Sequence, residues 1–514
     1  PAEYSLIVVD EAHALRNAET KAAAALRRLL QGDPPKQLVL MTATPVNNSL
    51  WDLYNLLQFF VGHDAVFAEL GISSLKRKFD EAVKTDPFSL KPDVLFDILD
   101  ATTVRRTRHF VQRYYPNDRV KIGDEMQTIQ FPRPHVKSQG YDLDAVLPGF
   151  FADFAEQLAP EEGPPTLSMA RYVPSSYKPG VAPEAREVAL VGLIRSGLLK
   201  RFESSAHAFA NTLERMIAAH DLFLRALDAG KLPTSELLGE LSDVDTDESW
   251  DELLADGETI DPAEYDVPRL RAAVANDRAI LLGFHTSART VRRETDPKLE
   301  LLIEELAAIA AHAETHGVGE EDTRNRRKVL VFSYFTDTVE WIYGHLVERM
   351  ATDRRLAVYR GRIAQVRGTE GAGGVGRHEA IYGFAPKSTD APAGYQDDKF
   401  DVLIATDVLS EGLNLQQAAR IINYDLPWNP MRLVQRHGRI DRIGSPHADV
   451  WMTCIFPDAQ LDQLLKLEKR IREKLAQAAA SVGLDSEVIP GAATVDMNFA
   501  DSLEEIERLR QEDA

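Results

Sequence analysis

The chain of 514 residues is poor in the groups that cross-link or anchor a protein. Cys454 is its one cysteine, which excludes an intrachain disulfide and a cysteine-built zinc site and fits a reducing compartment. The 13 histidines are scattered without HExxH or paired ligand spacing, so no structural metal is expected. No apolar run approaches the roughly 18 residues that a membrane span needs. The first residues also lack a basic stretch followed by a hydrophobic one. The expectation is a cytoplasmic protein with no membrane partner. Lys, Arg and His are missing altogether from 232–268, most of which reads SDVDTDESWDELLADGETIDPAEYD. That segment is either a solvated, disordered acidic insert or a mimic of nucleic-acid phosphate.

Excess positive charge is absent as well. A formal net charge of −21 excludes a protein that coats nucleic acid by bulk attraction, although a local basic groove remains compatible with it. The composition, 44% hydrophobic and 27% charged, is that of an ordinary globular chain. Its length implies about two to four domains.

Five short runs are nearly continuous in Val, Ile and Leu, the pattern of buried parallel strands: Ser5–Val9, Gln37–Met41, Lys328–Phe332, Asp401–Ala405 and Arg420–Asn423. Asp449–Phe456 is a sixth candidate. Each of the five runs into polar residues, and open α/β sheets bind ligands beyond the carboxyl ends of their strands. Helical stretches lie between the runs, so the spacing predicts two α/β blocks, at 1–131 and 296–460. The intervening 132–295 has no comparable strand pattern and carries a long helical hairpin around VALVGLIRSGLLKRFESSAHAFANTLERMIAAHDLFLRAL. Residues 461–514 are expected to add a helical extension.

The first strand ends in Asp10-Glu11-Ala12-His13. An acid at a strand end can hold Mg2+ through water, and a second acid beside it can orient and deprotonate an attacking water. After the next strand come Thr42-Ala43-Thr44, either a simple turn closed by Pro45 or small hydroxyl residues that link elements by hydrogen bonding. Near the far end, QRHGRIDR at 435–442 spaces its arginines by three. On one helix face that spacing would aim two guanidinium groups into one cleft, where the planar fork of Arg suits phosphate. A solvated basic helix is the plainer reading, and Gly438 within the run weakens it.

DEAH, TAT, VLVFSYFTDT, ATDVLSEGLNLQ and QRHGRIDRIG, in that order, resemble motifs II to VI of a superfamily 2 helicase-like ATPase. LPWNPMRLVQRHGRIDRIG is most similar to the Snf2 branch and its bacterial DNA translocases; VRRTR at 104–108 and GLLKRFESSAHAF resemble further Snf2 segments. The resemblance covers Leu6 to Pro457 and implies two RecA-like parallel-sheet lobes, the first incomplete, around a helical insertion. It also implies ATP and Mg2+ as cofactors and nucleic acid, double-stranded DNA in the first place, as partner. Asp10 would hold Mg2+ through water and Glu11 would act as base. His13 and Gln435 would couple the nucleotide to the lobe interface, with Arg439 and Arg442 as arginine fingers. Thr42, Thr44, Glu411, Gly412 and Arg436 would border the nucleotide, and Ser333 and Thr406 would touch the nucleic-acid backbone.

One element of that pattern has no counterpart. The phosphate-gripping G-x-x-x-x-G-K-S/T precedes DEAH in such proteins, and its look-alike here, GAGGVGRH at 371–378, has Arg and His in place of Lys and the hydroxyl. It reads as a flexible glycine loop. The chain is accordingly expected to be part of a longer motor, inactive as an ATPase by itself, whose first block exposes strand edges and apolar faces for want of sheet neighbours. A missing lobe segment or a protein partner would complete it. A non-catalytic binding module and an RNA helicase are the alternatives.

Overall fold

The computed structural model describes residues 4–32, 35–46, 49–90, 94–104, 108–115, 118–122, 125–158, 164–228, 232–233, 259–260, 262–367, 375–409, 413–457 and short pieces between 459 and 490. Most of the acidic segment, most of 461–514, Arg105 to Thr107, Gly371 to Gly374, Glu411 and Gly412 lie outside the described residues. The chain divides into two compact units that do not follow chain order: Pro1–Lys137 with Pro427–Val450 and Leu467–Ala514, and Ser138–Leu426 with Trp451–Lys466.

In the first unit, β1 (Leu6–Val9) leads through α1 (Lys21–Leu30) to β2 (Gln37–Leu40), paired in parallel with Leu6 opposite Gln37. Thr20 caps α1 by accepting from the N–H of Ala23, and the Ala/Leu/Arg composition propagates it. Then follow α2 (Leu50–Leu57), α3 (Leu75–Lys84), α4 (Phe96–Thr102) and α5 (Arg108–Tyr114), with a hairpin of β3 (Arg119–Ile122) and β4 (Glu125–Thr128). Ser49 and Asp52 form a capping box at the start of α2. Leu50, Leu53, Leu57, Phe79 and Leu99 build the main core of this part. Ile7, Val9, Leu38 and Leu40 pack toward Leu15, Leu26 and Leu56.

The expectation of buried strands fails for β1 and β2. Leu6 is 48% exposed, Val8 52% and Val39 45%, because helices cover one face of this two-stranded sheet and the other face is open. The exposed apolar face expected for the first block is therefore observed.

The second unit is built on a six-stranded sheet in the order β5-β12-β11-β8-β10-β9. Its elements begin with β5 (Arg133–Gln139), α6 (Phe150–Leu158), α7 (Ala185–Ser204) and α8 (Ala206–Asp228). The short bridge of β6 (Leu232–Pro233) and β7 (Thr259–Ile260) precedes α9 (Val267–Ala288), α10 (Pro297–His316) and α11 (Gly319–Arg327). Then come β8 (Val329–Phe332), α12 (Thr336–Thr352), β9 (Ile363–Val366), α13 (Arg377–Phe384), β10 (Val402–Ala405), β11 (Arg420–Asn423) and, after α14 (Pro430–His437), which falls in the first unit, β12 (Asp449–Ile455). Every residue of β8, β9, β10 and β11 is buried, and their mutual pairings are parallel.

Helices α10 and α12 supply Leu299, Leu302, Leu306, Val339, Ile342 and Leu346 to the core of this sheet. Asp296 and Pro297 start α10, the carboxylate accepting from the N–H groups of Lys298 and Leu299. The expected helical hairpin is α7 and α8, against which α9 packs. Phe150, Phe154, Phe202, Phe209 and Phe284 interlock with ring centroids 4.7–6.4 Å apart. Two strands of the six-stranded sheet, and the short β3, β4, β6 and β7, are not among the apolar runs. RPHVKSQ in β5 alternates polar and apolar at the sheet edge, and IAQV in β9 is short and interrupted by Gln365.

Candidate nucleotide site

The parallel pairing of β1 and β2 delivers DEAH and TAT side by side. The N–H of Met41 donates to Val9 O at 2.8 Å and that of Ala12 to Met41 O at 2.9 Å, so the two loops are stitched together just beyond the strands. Asp10 is exposed at the end of β1, and its Oδ1 accepts from the N–H of Glu11 at 2.8 Å. Glu11 itself has φ 49° and ψ 45°, a left-handed conformation that a side chain with a Cβ adopts at a cost of about 1–2 kcal/mol. The bend turns the chain from strand into a short 3-10 turn, Ala12–Leu15, and separates the two adjacent acids.

His13 is buried, with Nδ1 3.2 Å from the Glu11 carboxylate. Its carbonyl accepts from Arg16 Nη1 at 3.2 Å, and Arg16 O accepts from Asn55 Nδ2 at 2.8 Å, which anchors the DEAH turn on α2. Thr42 is half-buried and its hydroxyl accepts from the N–H of Thr44 at 3.2 Å. The Thr44 hydroxyl is buried with no hydrogen-bond partner among the described residues. Among the described residues no group of three or more His, Cys, Asp or Glu side chains could hold a metal. The exposed carboxylate of Asp10 would be the residue to hold a hydrated Mg2+ through water.

The basic run is placed in the first unit too, with a correction to its local form. Helix α14 ends at His437, and Gly438 donates its N–H to Val434 O at 2.9 Å. Arg439 and Arg442 therefore lie in the turn beyond the helix and do not share a helix face. Arg439 is 8% exposed and its Nε donates to Gln435 O at 3.2 Å, while Arg442 is exposed and Gln435 half-buried. Arg436, expected beside the nucleotide, is completely enclosed at 0% exposure, so its place is inside the support of the turn. Burial and the neighbouring Arg436 charge push the His437 imidazole down to about 3, leaving it neutral at physiological pH.

Ser333 and Thr406 belong to the second unit. They sit at the ends of adjacent strands, and the N–H of Ser333 donates to Ala405 O at 3.0 Å. Thr406 is half-buried. Ser333 has no exposure, and its hydroxyl donates to Asp425 Oδ2 at 2.6 Å, which corrects the expectation that it touches a nucleic-acid backbone. Reading the sequence missed Asp425 altogether, although it follows a buried strand as Asp10 follows β1.

Parts of the sequence match known families and proteins. Residues 2–127 match the SNF2-related domain and residues 377–444 the helicase conserved C-terminal domain. The chain is 65% identical over 46 residues to an uncharacterized ATP-dependent helicase, YqhH, of Bacillus subtilis, covering 9% of this chain and 8% of that protein. It is 32% identical over 120 residues to the RNA polymerase-associated protein RapA of Erwinia tasmaniensis, covering 22% and 12%. It is 35% identical over 81 residues to the ATP-dependent RNA helicase CshA of Limosilactobacillus reuteri, covering 16% of each. These matches span only 8 to 16% of the relatives' own lengths. The chain thus carries an SNF2-related domain, with DEAH and TAT on paired strand ends, and a helicase conserved C-terminal domain whose last residues hold the arginine run.

Proposed function

We propose that this chain is part of an ATP-dependent DNA translocase, coupling ATP hydrolysis to movement along duplex DNA or to remodelling of protein–DNA complexes. The observation that carries the reading is the stitched pair of loops after β1 and β2, with Asp10 exposed and the Glu11 carboxylate 3.2 Å from His13 Nδ1. Asp10 would hold Mg2+ through water, and the metal would neutralise charge developing on the phosphates. Glu11, kept 3.2 Å from His13, would take the proton of the attacking water. Arg439 and Arg442 would stabilise the transferred phosphoryl group, a class of contact that contributes about 10³–10⁵ in rate.

These 514 residues contain no G-x-x-x-x-G-K-S/T, so hydrolysis requires a phosphate cradle from elsewhere. Without one the chain acts as a nucleic-acid-binding module. The similarity to RapA supports an RNA polymerase complex as the object remodelled, and the similarity to CshA favours RNA as the second reading.

The deciding experiment joins the chain to the phosphate-gripping segment of a close homologue and measures ATPase with duplex DNA, single-stranded DNA and RNA. Stimulation by duplex DNA that disappears in Arg442→Ala is the expected result. Stimulation by RNA alone would select the RNA helicase reading. No stimulation by any nucleic acid would end the motor proposal.

A further inference from the structure

A charged interior cluster of the second unit lies where α7 turns into α8. Lys200, Glu203, Ser204 and Ser205 of this elbow, Lys298 of α10, Ser333 and Thr338 after β8, and Asp425 after β11 are all buried. Ser204 Oγ donates to Asp425 Oδ2 at 2.5 Å, beside the 2.6 Å bond from Ser333 Oγ. The other oxygen, Oδ1, accepts from the N–H of Tyr334 at 2.7 Å. Thr338 Oγ1 lies 2.7 Å from Ser204 Oγ and 2.8 Å from Ser205 Oγ. A hydroxyl has one proton to give, and that of Ser204 goes to Asp425. Thr338 therefore donates to Ser204, and Ser205 donates to Thr338. The result is a one-way chain, Ser205 to Thr338 to Ser204 to Asp425, in which each hydroxyl both gives and accepts.

The backbone of the elbow is fastened as firmly as its side chains. Lys298 Nζ donates to Glu203 O at 2.6 Å and to Ser204 O at 3.2 Å. Lys200 Nζ bonds Glu203 Oε2 at 2.6 Å and also donates to Leu426 O, while the N–H of Leu426 donates to Glu203 Oε1 at 3.4 Å. A buried polar network with this many bonds fixes geometry, because displacement strands a charge or donor away from solvent.

We propose that the α7–α8 elbow is a positioning element of the motor: Ser204 and Asp425 hold the segment Ser333–Thr338 so that the helical hairpin and the loop after β8 move as one body. Force or binding on the hairpin is thereby passed to the carboxyl edge of the sheet. The mechanical part stands on the bonds above, and its use in a motor rests on the function proposed here.

Hydrogen–deuterium exchange on the full chain tests the positioning without any ATPase activity. In Ser204→Ala the amides of 333–338 are expected to exchange roughly tenfold faster, the worth of one buried hydrogen bond, while β10 and α10 keep their protection. Ser204→Thr retains the hydroxyl and should restore protection at 333–338, a rescue that a general packing defect would not show. Asp425→Asn should release 333–338 and the elbow 203–206 together. Unchanged exchange at 333–338, a uniform rise across the unit, or release of one segment without the other would overturn the proposal. A duplex-DNA titration of the unaltered chain separates the two claims: failure to bind removes the motor reading and leaves the exchange result standing.

Discussion

Arg108 binds Asp441 across 333 positions of sequence, through a 2.5 Å bond to Oδ1 and a 2.8 Å bond to the backbone carbonyl. Arg108 is the last residue of VRRTR, and Asp441 stands between the two arginines assigned to phosphate contact. The pair ties the end of one motif to the turn of another inside the first unit, with the guanidinium also 5.2 Å from the Phe131 ring centroid.

Burial raises the Asp441 carboxyl above its usual range, and the Arg108 charge and hydrogen bond oppose that rise. Arg108→Ala leaves a buried carboxylate without its cation and is expected to cost roughly 2–4 kcal/mol at neutral pH. A raised carboxyl pKa means that the folded state favours the protonated form, so the cost of the charged form grows as pH rises through that value and shrinks as pH falls below it. The stability gap between variant and parent, read from urea titrations, should accordingly narrow toward acid pH.

His437 works in the opposite direction. Its folded value of about 3 lies below the ordinary value of 6.5, so the unfolded chain takes up a proton that the folded one refuses. Its contribution is full above pH 6.5 and fades as pH falls toward 3, by up to about 1.4 kcal/mol per unit. His437→Gln should flatten that part of the acid-unfolding curve. His220, lowered to about 4 by burial in the second unit, gives an independent slope that His220→Gln removes.

Glu11 combines a strained backbone with the proposed chemistry. Glu11→Gly should relieve the left-handed strain and stabilise the first unit by up to about 1 kcal/mol relative to Glu11→Ala. Glu11→Gln should leave stability near that of the parent. Calorimetry of the chain reads these differences, and both Gly and Gln are expected to abolish hydrolysis in the completed motor.

Arg436 and Arg442 separate support from chemistry. Arg436→Ala removes a wholly enclosed side chain and is expected to cost roughly 2–4 kcal/mol. Arg442→Ala, at an exposed position, should change stability by less than about 0.5 kcal/mol while eliminating DNA-stimulated turnover. Loss of both stability and turnover in each variant would contradict this division.

Much of the site was legible because motifs of this kind are local. A buried strand followed by acids, or by small hydroxyl residues, places those side chains at the carboxyl end of a sheet whatever the rest of the chain does. The strands β8, β10 and β11 were legible for the same reason, being apolar on both faces. Edge strand β5 was not, because a strand covered on one side needs only alternate apolar residues. The helix through the arginines was over-extended in the sequence reading, because spacing by three fits a helix while Gly438 ends one.

The sequence by itself determined the order of the motifs and the positions of the acids and arginines within the SNF2-related and helicase C-terminal matches, since residue type and short-range spacing specify those. Tertiary structure alone decided that Ser333 is an internal hydroxyl, that Arg436 is enclosed, and that Ser204 and Asp425 belong together. Ser204 and Asp425 lie 221 positions apart, and only folding brings them within hydrogen-bond distance and removes the water that would otherwise satisfy them.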